Sequence, residues 1–369
     1  MFFSKIRFRE SLMCSLFCLF SLSVAISQTK KYYNPLHEQA VQGRLKILDN
    51  VEDYGRLPIA SKSLVRDPVW FLGTNSAGLY VEFETEADSI QIRYKVKHSL
   101  NMPHMPTTGV SGVDLYAYDQ RNKRWDWSFG QYQFKDTVVY NFNNIGVNRN
   151  HLYRLYLPLY NTLEWLEIGV SEEKSFAFKK HNSKPIIIYG TSIAQGACAS
   201  RPGVGWTNFL GRAFSNEIIN LAFSGNGRLE DPILDLINGE DPAVYILDCI
   251  PNLAITHQRS AKQLDSLISS SVDLLRKKHP NTPIILAEHS SAETPGFQNI
   301  HTMEEYGSSS KLVKQTYERL KKKGDKNLYF ITAKEFDLDI NSTVDYAHPN
   351  DLGMYKIAKA YERLLKKIL

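Results

Sequence analysis

The chain has 369 residues, of which 43% are hydrophobic and 22% charged, and its formal net charge at pH 7 is +5. This composition is typical of a folded globular protein and excludes a disordered or a fibrous one. The basic excess is small and spread along the chain, so nucleic acid is not expected as a partner. The length predicts two domains.

The N-terminus has the pattern of a secretory signal peptide. Three basic residues precede an apolar stretch over residues 12–26, and the small residues Ala25 and Ser27 lie at the positions that signal peptidase recognises. The stretch is shorter than the roughly 20 residues that cross a bilayer as a helix. We therefore predict that residues 1–27 are removed and that the mature protein is exported, periplasmic or extracellular, without a membrane span. A retained membrane anchor is the alternative.

Two of the four cysteines, Cys198 and Cys249, follow the predicted signal peptide. Two cysteines alone do not make a zinc site, and neither an HExxH nor a CxxC spacing occurs, so we predict no metal and no cofactor. In an exported protein the two thiols could form one disulfide, or they could stay apart as buried thiols.

Residues 33–175 predict an antiparallel β-sandwich. Short runs such as 79–84 and 90–94 alternate apolar and polar side chains, and Asn, Gly and Asp separate the runs. Alternation with a period of two residues is typical of strands that bury one face, and no helical period of useful length interrupts it.

Residues 184–369 follow a different pattern, in which apolar runs alternate with amphipathic helical segments. The runs are almost continuously apolar, and the helical segments include residues 261–278 and 351–369. Strands of this kind, each followed by a helix, predict an α/β fold with a parallel sheet flanked by helices. The boundary between the two predicted domains lies near residues 175–185.

Polar residues follow three of the predicted strands and precede the last helix. In open α/β sheets ligands bind outside the carboxyl ends of the strands, because loops and helix N-termini converge there. Each of these sequences is commonplace by itself, since a serine often caps a helix and Asp-x-x-His often forms a surface turn. The four sequences are Gly190-Thr191-Ser192, Ser224-Gly225-Asn226-Gly227, Cys249-Ile250-Pro251-Asn252 and Asp345-Tyr346-Ala347-His348.

Taken together and in this order, the four sequences resemble those of the SGNH, or GDSL-type, hydrolases, whose Ser, Gly, Asn and His lie in four blocks at the carboxyl ends of strands. The similarity covers residues 184–369 and includes the neighbours of Ser192 and His348. The N-terminal half is similar to the domain that precedes one branch of these esterases, through residues 101–106 and a Gly-x-Asp-Leu-Tyr motif at 112–116. The resemblance implies a jelly-roll-like sandwich followed by a flavodoxin-like hydrolase domain.

Two of the four blocks depart from the common family pattern. The first reads Gly-Thr-Ser rather than Gly-Asp-Ser, and the third reads Cys-Ile-Pro-Asn rather than Gly-x-Asn-Asp. Because the Ser, Gly, Asn and His are all present, the resemblance to the class holds, and the substrate stays open.

The chemistry and the resemblance assign the same catalytic roles. A serine hydroxyl is a weak nucleophile at neutral pH, so Ser192 needs a base, and His348 can take its proton and later deliver it to the leaving group. Asp345, three residues before the histidine, can hold the imidazole in one tautomer. The predicted oxyanion hole consists of the backbone N–H groups of Ser192 and Gly225 and the side-chain amide of Asn252.

Two further histidines are candidates for the pocket. His289 also follows a predicted strand, but no carboxylate follows it at the family's spacing, so we expect it to line the pocket rather than to act as the base. His104 lies in the Pro- and Met-rich loop 101–111. This loop either overhangs the active site or only closes one end of the sandwich.

These observations predict a secreted serine esterase that acts on short acyl groups, with O-acetyl groups on a carbohydrate as the leading substrate. Its partner is then a small-molecule or oligosaccharide acyl ester. Two alternatives remain open, a lipid-directed esterase similar to a lysophospholipase and a non-catalytic carbohydrate-binding protein. The small, polar loop 197–203 favours a short acyl group over a lipid.

Overall fold

The computed structural model describes residues 29–49, 53–145, 152–291 and 299–369. The predicted signal peptide lies outside these residues. Within them, no helix is both long and apolar enough to cross a membrane.

The N-terminal part of the chain forms two antiparallel sheets. Its strands are β1 (Lys30–Tyr33), β2 (Val41–Gln42), β3 (Tyr80–Thr85), β4 (Ser89–Val96), β5 (Asp114–Asp119), β6 (Arg124–Ser128), β7 (Gln131–Gln133), β8 (Val138–Asn143), β9 (Leu152–Tyr156), β10 (Leu163–Ser171) and β11 (Phe176–Lys179). One sheet has the order β1-β10-β4-β8-β7, and the other has the order β11-β3-β9-β5-β6, with β2 paired to β3. The strands extend slightly past both bounds of the predicted sandwich.

Alternating side chains hold the two sheets together. On β4, Ile90, Ile92 and Tyr94 are fully buried, and the residues between them are only partly buried. These three side chains lie in one hydrophobic core with Phe83 and Leu155 of the other sheet. On β4 a period of two residues therefore buries one face of the strand, as the sequence predicted.

The C-terminal part contains a five-stranded parallel sheet. Its strands are β12 (Ile186–Gly190), β13 (Ile218–Ala222), β14 (Val244–Asp248), β15 (Ile284–Ala287) and β16 (Leu328–Ile331). They lie in the order β13-β12-β14-β15-β16. In chain order this is 2-1-3-4-5, the flavodoxin-like arrangement, so the predicted fold class is confirmed.

Helices cover both faces of this sheet. The α-helices within the described residues are α1 (Asp67–Gly73), α2 (Thr107–Val110), α3 (Ser192–Gln195), α4 (Trp206–Ala213), α5 (Asp231–Asn238), α6 (Ala261–Lys278), α7 (Ile300–Lys322), α8 (Ala333–Phe336) and α9 (Asp351–Ile368). Ile187 and Tyr189 pack with side chains of α5, α6 and α7, whereas Ile186 and Ile188 pack with side chains of α4 and α9. Loops cover the carboxyl edge of the sheet, and they carry the predicted catalytic residues.

Residues 53–73, between β2 and β3, pack against the α/β part. Leu57 and Val69 lie in the same hydrophobic core as Tyr189. Arg56 is fully buried, and burial lowers its pKa to about 9. Its guanidinium donates to the backbone oxygens of Leu72, Asn75, Asn220 and Ala222. Two of these oxygens belong to β13, so Arg56 ties this segment to the strand that leads into the Gly225 loop.

Candidate active site

Ser192 lies at the turn from β12 into α3. Gly190 ends the strand, Thr191 is extended, and Ser192 begins the helix. A Cβ atom at Gly190 would lie 2.6 Å from the Cβ of Ala194, so glycine permits the tight turn. The Ser192 residue is 5% exposed, and its Oγ lies 2.8 Å from Nε2 of His348.

Asp345 and His348 lie in the loop before α9. Nδ1 of His348 is 2.8 Å from Oδ2 of Asp345, whose Oδ1 accepts the backbone N–H groups of Ala347 and His348. Burial acts to raise the pKa of Asp345, but the hydrogen bonds from His348 outweigh it, and the pKa is lowered. Because an ionised carboxylate only accepts hydrogen bonds, Nδ1 carries the imidazole proton, and Nε2 accepts from the Ser192 hydroxyl.

The loops that carry Gly225 and Asn252 meet the Ser192 turn. Gly225 has a φ of +68°, which favours glycine, and a Cβ built there would have no neighbour within 4 Å. A Cβ at Gly227 would lie 2.2 Å from the oxygen of Gly190, so this loop packs directly on the turn. Asn252 Oδ1 accepts the backbone N–H of Gly227 at 3.1 Å, which orients the amide so that Nδ2 is its donor group.

His289 follows β15 and is 3% exposed. Its ring stacks on that of Tyr306, with 3.7 Å between the ring centroids. Burial, assisted by the charge of His348, lowers the pKa of His289 to about 3, so the ring is neutral at physiological pH. Within the described residues its Nδ1 has no hydrogen-bond partner. His348 is therefore the histidine in contact with Ser192, and His289 lies nearby.

The buried, neutral state of His289 predicts a pH dependence of stability. In the unfolded chain this side chain takes up a proton below its usual pKa of 6.5, whereas in the folded protein it stays neutral down to about pH 3. Lower pH therefore favours the unfolded state, by about 2 kcal/mol at pH 5 relative to pH 7. We expect His289→Asn to lose correspondingly less stability than the wild type between these two pH values in urea unfolding. Equal losses in both proteins would contradict the assignment.

The loop 101–111 crosses from the sandwich to the α/β part. Met105 lies in the same hydrophobic core as Cys198. The hydroxyl of Thr108 donates to the backbone oxygen of Ser200 at 2.7 Å. The loop therefore contacts the segment that follows α3, instead of only closing one end of the sandwich.

His104 belongs to this loop and lies beside the catalytic candidates. Its ring centroid is 6.3 Å from that of His348. His104 from the sandwich and His289 from the α/β part therefore both lie near His348.

The Gly-x-Asp-Leu-Tyr motif holds Arg201, a residue that the sequence reasoning missed. Asp114 Oδ2 accepts from Arg201 Nη1 at 2.5 Å and from the backbone N–H of Gly203 at 2.9 Å. The hydroxyl of Tyr116 accepts from Arg201 at 2.7 Å, and Trp127 Nε1 donates to Asp114 Oδ1 at 2.5 Å. Asp114 and Tyr116 are two residues apart on β5 and so share one face, which was the available signal.

Cys198 and Cys249 are buried and free, so the disulfide alternative is not realised. Burial raises the pKa of Cys198 to about 12, which keeps the thiol protonated and a poor nucleophile. In the described part of the chain, no group of three or more His, Cys, Asp or Glu side chains could hold a metal ion.

Known proteins with related sequences share this architecture. The sequence matches the GDSL-like lipase/acylhydrolase family over residues 183–366 and the N-terminus of SGNH-hydrolase-type esterases over residues 30–176. A GDSL-like lipase from Bacteroides ovatus ATCC 8483 is 32% identical, with a TM-score of 0.81 and coverage of 92% of this chain and 98% of that chain. A search of curated proteins found no match.

Two more distant solved structures have a similar fold. The salicylyl-acyltransferase SsfX3 from a tetracycline biosynthetic pathway is 18% identical, with a TM-score of 0.71. A family two carbohydrate esterase from Cellvibrio japonicus is 12% identical, with a TM-score of 0.50. In both cases the match covers 92% of this chain and 98% of the other chain. At these identities the similarity concerns the fold alone.

The fold and the family matches define a serine hydrolase that acts on ester bonds, and they confirm the class that the sequence predicted. The chain belongs to the GDSL-like lipase/acylhydrolase family, in the branch whose SGNH hydrolase part follows a Gly-x-Asp-Leu-Tyr region.

Proposed function

We propose that this protein hydrolyses short acyl esters, with O-acetyl groups on a carbohydrate as its substrate, and that Ser192 is the nucleophile. The observation that supports this most directly is the chain of contacts Ser192–His348–Asp345, with 2.8 Å at both junctions. It has the order and the tautomer that a nucleophile, a base and an orienting carboxylate require.

In the proposed reaction, Ser192 Oγ attacks the carbonyl carbon while His348 Nε2 takes the hydroxyl proton. The carbonyl π electrons move onto oxygen, and a tetrahedral oxyanion forms. His348 then protonates the alcohol oxygen as the ester C–O bond breaks, which leaves an acyl group on Ser192. A water molecule repeats the sequence: it loses a proton to His348, attacks the acyl carbon and releases the acid, and the proton returns to Ser192.

The proposed oxyanion hole comprises the backbone N–H groups of Ser192 and Gly225 and the amide of Asn252. The Ser192 N–H lies at the first residue of α3, and the hydrogen bond from Gly227 to Asn252 Oδ1 orients the amide before substrate binds. Donors fixed in advance stabilise the developing negative charge without a reorganisation cost during the reaction.

Close packing beside the nucleophile supports a short acyl group. A Cβ at Gly196 would lie 2.8 Å from Leu159 Cδ1, and a Cβ at Gly109 would lie 2.3 Å from the backbone oxygen of Ala199. The segment that follows α3 is therefore packed tightly against residues of the sandwich. This close packing favours a short acyl group over a long one.

A carbohydrate ester is proposed because the Cellvibrio japonicus protein with a similar fold is a carbohydrate esterase. Export also belongs to the proposal and depends on the sequence of residues 1–27. The division of the chain into a sandwich domain over residues 33–175 and a hydrolase domain over residues 184–369 is also part of the proposal.

A substrate panel tests the proposal. We expect the mature protein to hydrolyse p-nitrophenyl acetate with a kcat/KM about tenfold or more above that for the octanoate, because each extra methylene must be accommodated beside this closely packed segment. We also expect release of acetate from at least one acetylated oligosaccharide. A preference for octanoate would favour the lipid-directed esterase, and no turnover of any ester would favour the non-catalytic carbohydrate-binding protein.

A further inference from the structure

A cavity opens at the edge of the sandwich, where the two sheets end in β6 and β7. It has a volume of about 180 Å³, and its walls include the buried rings of Tyr140 and Phe142. Phe129 and Gly130 connect the two edge strands and form part of its rim. A Cβ at Gly130 would lie 2.6 Å from the Phe142 ring, so glycine lets the connection close over that ring. We name this cavity the edge cleft.

Three aromatic side chains on the rim are exposed. Trp127 is 46% exposed, Phe129 is 64% exposed and Tyr132 is 50% exposed. Edge strands usually carry charged residues, because an exposed apolar edge invites aggregation. Aromatic side chains normally contribute to stability by being buried. Trp127 also donates to Asp114 within the fold, so the exposed rings of Phe129 and Tyr132 are the two that a ligand explains better than folding does.

Polar groups stand among these rings. Thr108, Ser128, Ser200 and Arg201 line the edge cleft. The hydroxyls of Thr108 and Ser200 donate within the protein, to the backbone oxygen of Ser200 and to Asp351, and a hydroxyl that donates can still accept a hydrogen bond. Arg201 lies 4.2 Å from the centroid of the Trp127 ring, and its side chain is 25% exposed. Flat apolar faces next to hydroxyl and guanidinium groups suit a ligand with an apolar C–H face and a hydroxylated rim, which is the chemistry of a sugar ring.

The edge cleft lies close to the catalytic candidates. The backbone N–H of Ala197 donates to the oxygen of Ser192, and Ser200, three residues later, lines the cleft. Three residues of extended chain span at most about 11 Å. On the facing loop, His104 lies beside His348, and Thr108, four residues later, lines the cleft. The segment that follows α3 and the loop 101–111 therefore each reach from the catalytic candidates to the edge cleft.

We propose that the edge cleft binds one sugar ring of the acylated glycan while another ring of the same chain presents its ester to Ser192. This inference rests on the proposed function, since it assigns a subsite for that substrate. The sandwich then takes part in substrate selection. On this inference, an ester without a sugar ring, such as p-nitrophenyl acetate, is hydrolysed at Ser192 without using the edge cleft.

The test compares a double variant, Phe129→Ala with Tyr132→Ala, with the matched control Phe71→Ala. Phe71 is also exposed, at 52%, but its ring lies next to His98 and not in the edge cleft. We expect the double variant to lower kcat/KM for an acetylated oligosaccharide by about tenfold relative to p-nitrophenyl acetate, mainly through KM, because two ring contacts are lost. The control should keep the wild-type ratio. Thermal unfolding of all three proteins shows whether each is folded.

Two outcomes separate the inference from the function on which it rests. If the wild type releases acetate from the oligosaccharide and the double variant does so with the same kcat/KM ratio, the edge cleft is not a sugar subsite and the proposed function stands. If the wild type hydrolyses p-nitrophenyl acetate but no acetylated glycan, the carbohydrate substrate is wrong and the subsite is rejected with it.

Discussion

Replacing Ser192 by Ala is expected to remove almost all ester hydrolysis, with kcat lower by a factor on the order of 10⁶, the loss found when the nucleophile of subtilisin is removed. The Ser192 Oγ atom forms the bond to the acyl group, so no neighbouring group can replace it as the nucleophile. Initial rates with p-nitrophenyl acetate measure the effect. The substitution removes one oxygen atom, which donates to His348, so the fold should persist and thermal unfolding should remain close to that of the wild type.

Asn252→Ala provides a graded comparison. It removes one of three proposed oxyanion donors and leaves the nucleophile and the base in place, so kcat should fall by about 10²–10³. A large loss for Ser192→Ala and an intermediate loss for Asn252→Ala would agree with the assigned roles. Small and equal losses in both variants would point to a different nucleophile.

The arrangement of the α/β part could be predicted because its determinants are local. Continuous apolar runs such as residues 185–189 mark buried parallel strands, and the polar sequences that follow them must lie at one edge of the sheet. Chain order then brings Ser192, Gly225 and Asn252 to neighbouring loops. The Asp345–His348 pair was predictable for the same reason, since both residues occupy one short loop.

Contacts between the two parts of the chain could not be predicted in this way. Arg56 bonds to Asn220 across 164 residues, and Asp114 bonds to Arg201 across 87 residues. Neither pair has a periodic signature, and many other carboxylates and carbonyl oxygens could have served as partners. The seven-residue helix α1 was missed because two turns are too short to show a helical period.

The position of the loop 101–111 could be predicted only in part. Its composition indicated that Met102 and Met105 must be covered, but it did not say by what. The two methionines join a hydrophobic core that includes Cys198 and Val204, on the segment that follows the Ser192 turn and is far away in sequence. Only the folded chain therefore shows that His104 lies beside His348.

The buried pair Asp114–Arg201 is expected to be a major determinant of stability. The Asp114 side chain is 4% exposed, and Arg201 supplies the positive charge next to it. Arg201→Met leaves the carboxylate buried with only the neutral donors Trp127 and Gly203. Because breaking a buried ion pair leaves an uncompensated charge, we expect a loss of about 3–5 kcal/mol in the free energy of unfolding. Urea unfolding at pH 7 measures it.

An exposed ion pair serves as the matched control for this prediction. Lys179 and Glu84 lie 2.9 Å apart with side chains 46% and 48% exposed, so Lys179→Met should lower the free energy of unfolding by less than about 1 kcal/mol.

A double variant separates a lost charge from a packing defect. Adding Asp114→Asn to Arg201→Met removes the unpaired buried charge and should restore part of the lost stability, which a packing defect alone would not allow. Arg201→Met should also slow p-nitrophenyl acetate hydrolysis, because the segment after α3 bonds to the histidine loop through Cys198 N–H and the oxygen of Pro349. If Arg201→Met cost no more than Lys179→Met, the Gly-x-Asp-Leu-Tyr motif would have to serve some purpose in this chain other than holding Arg201.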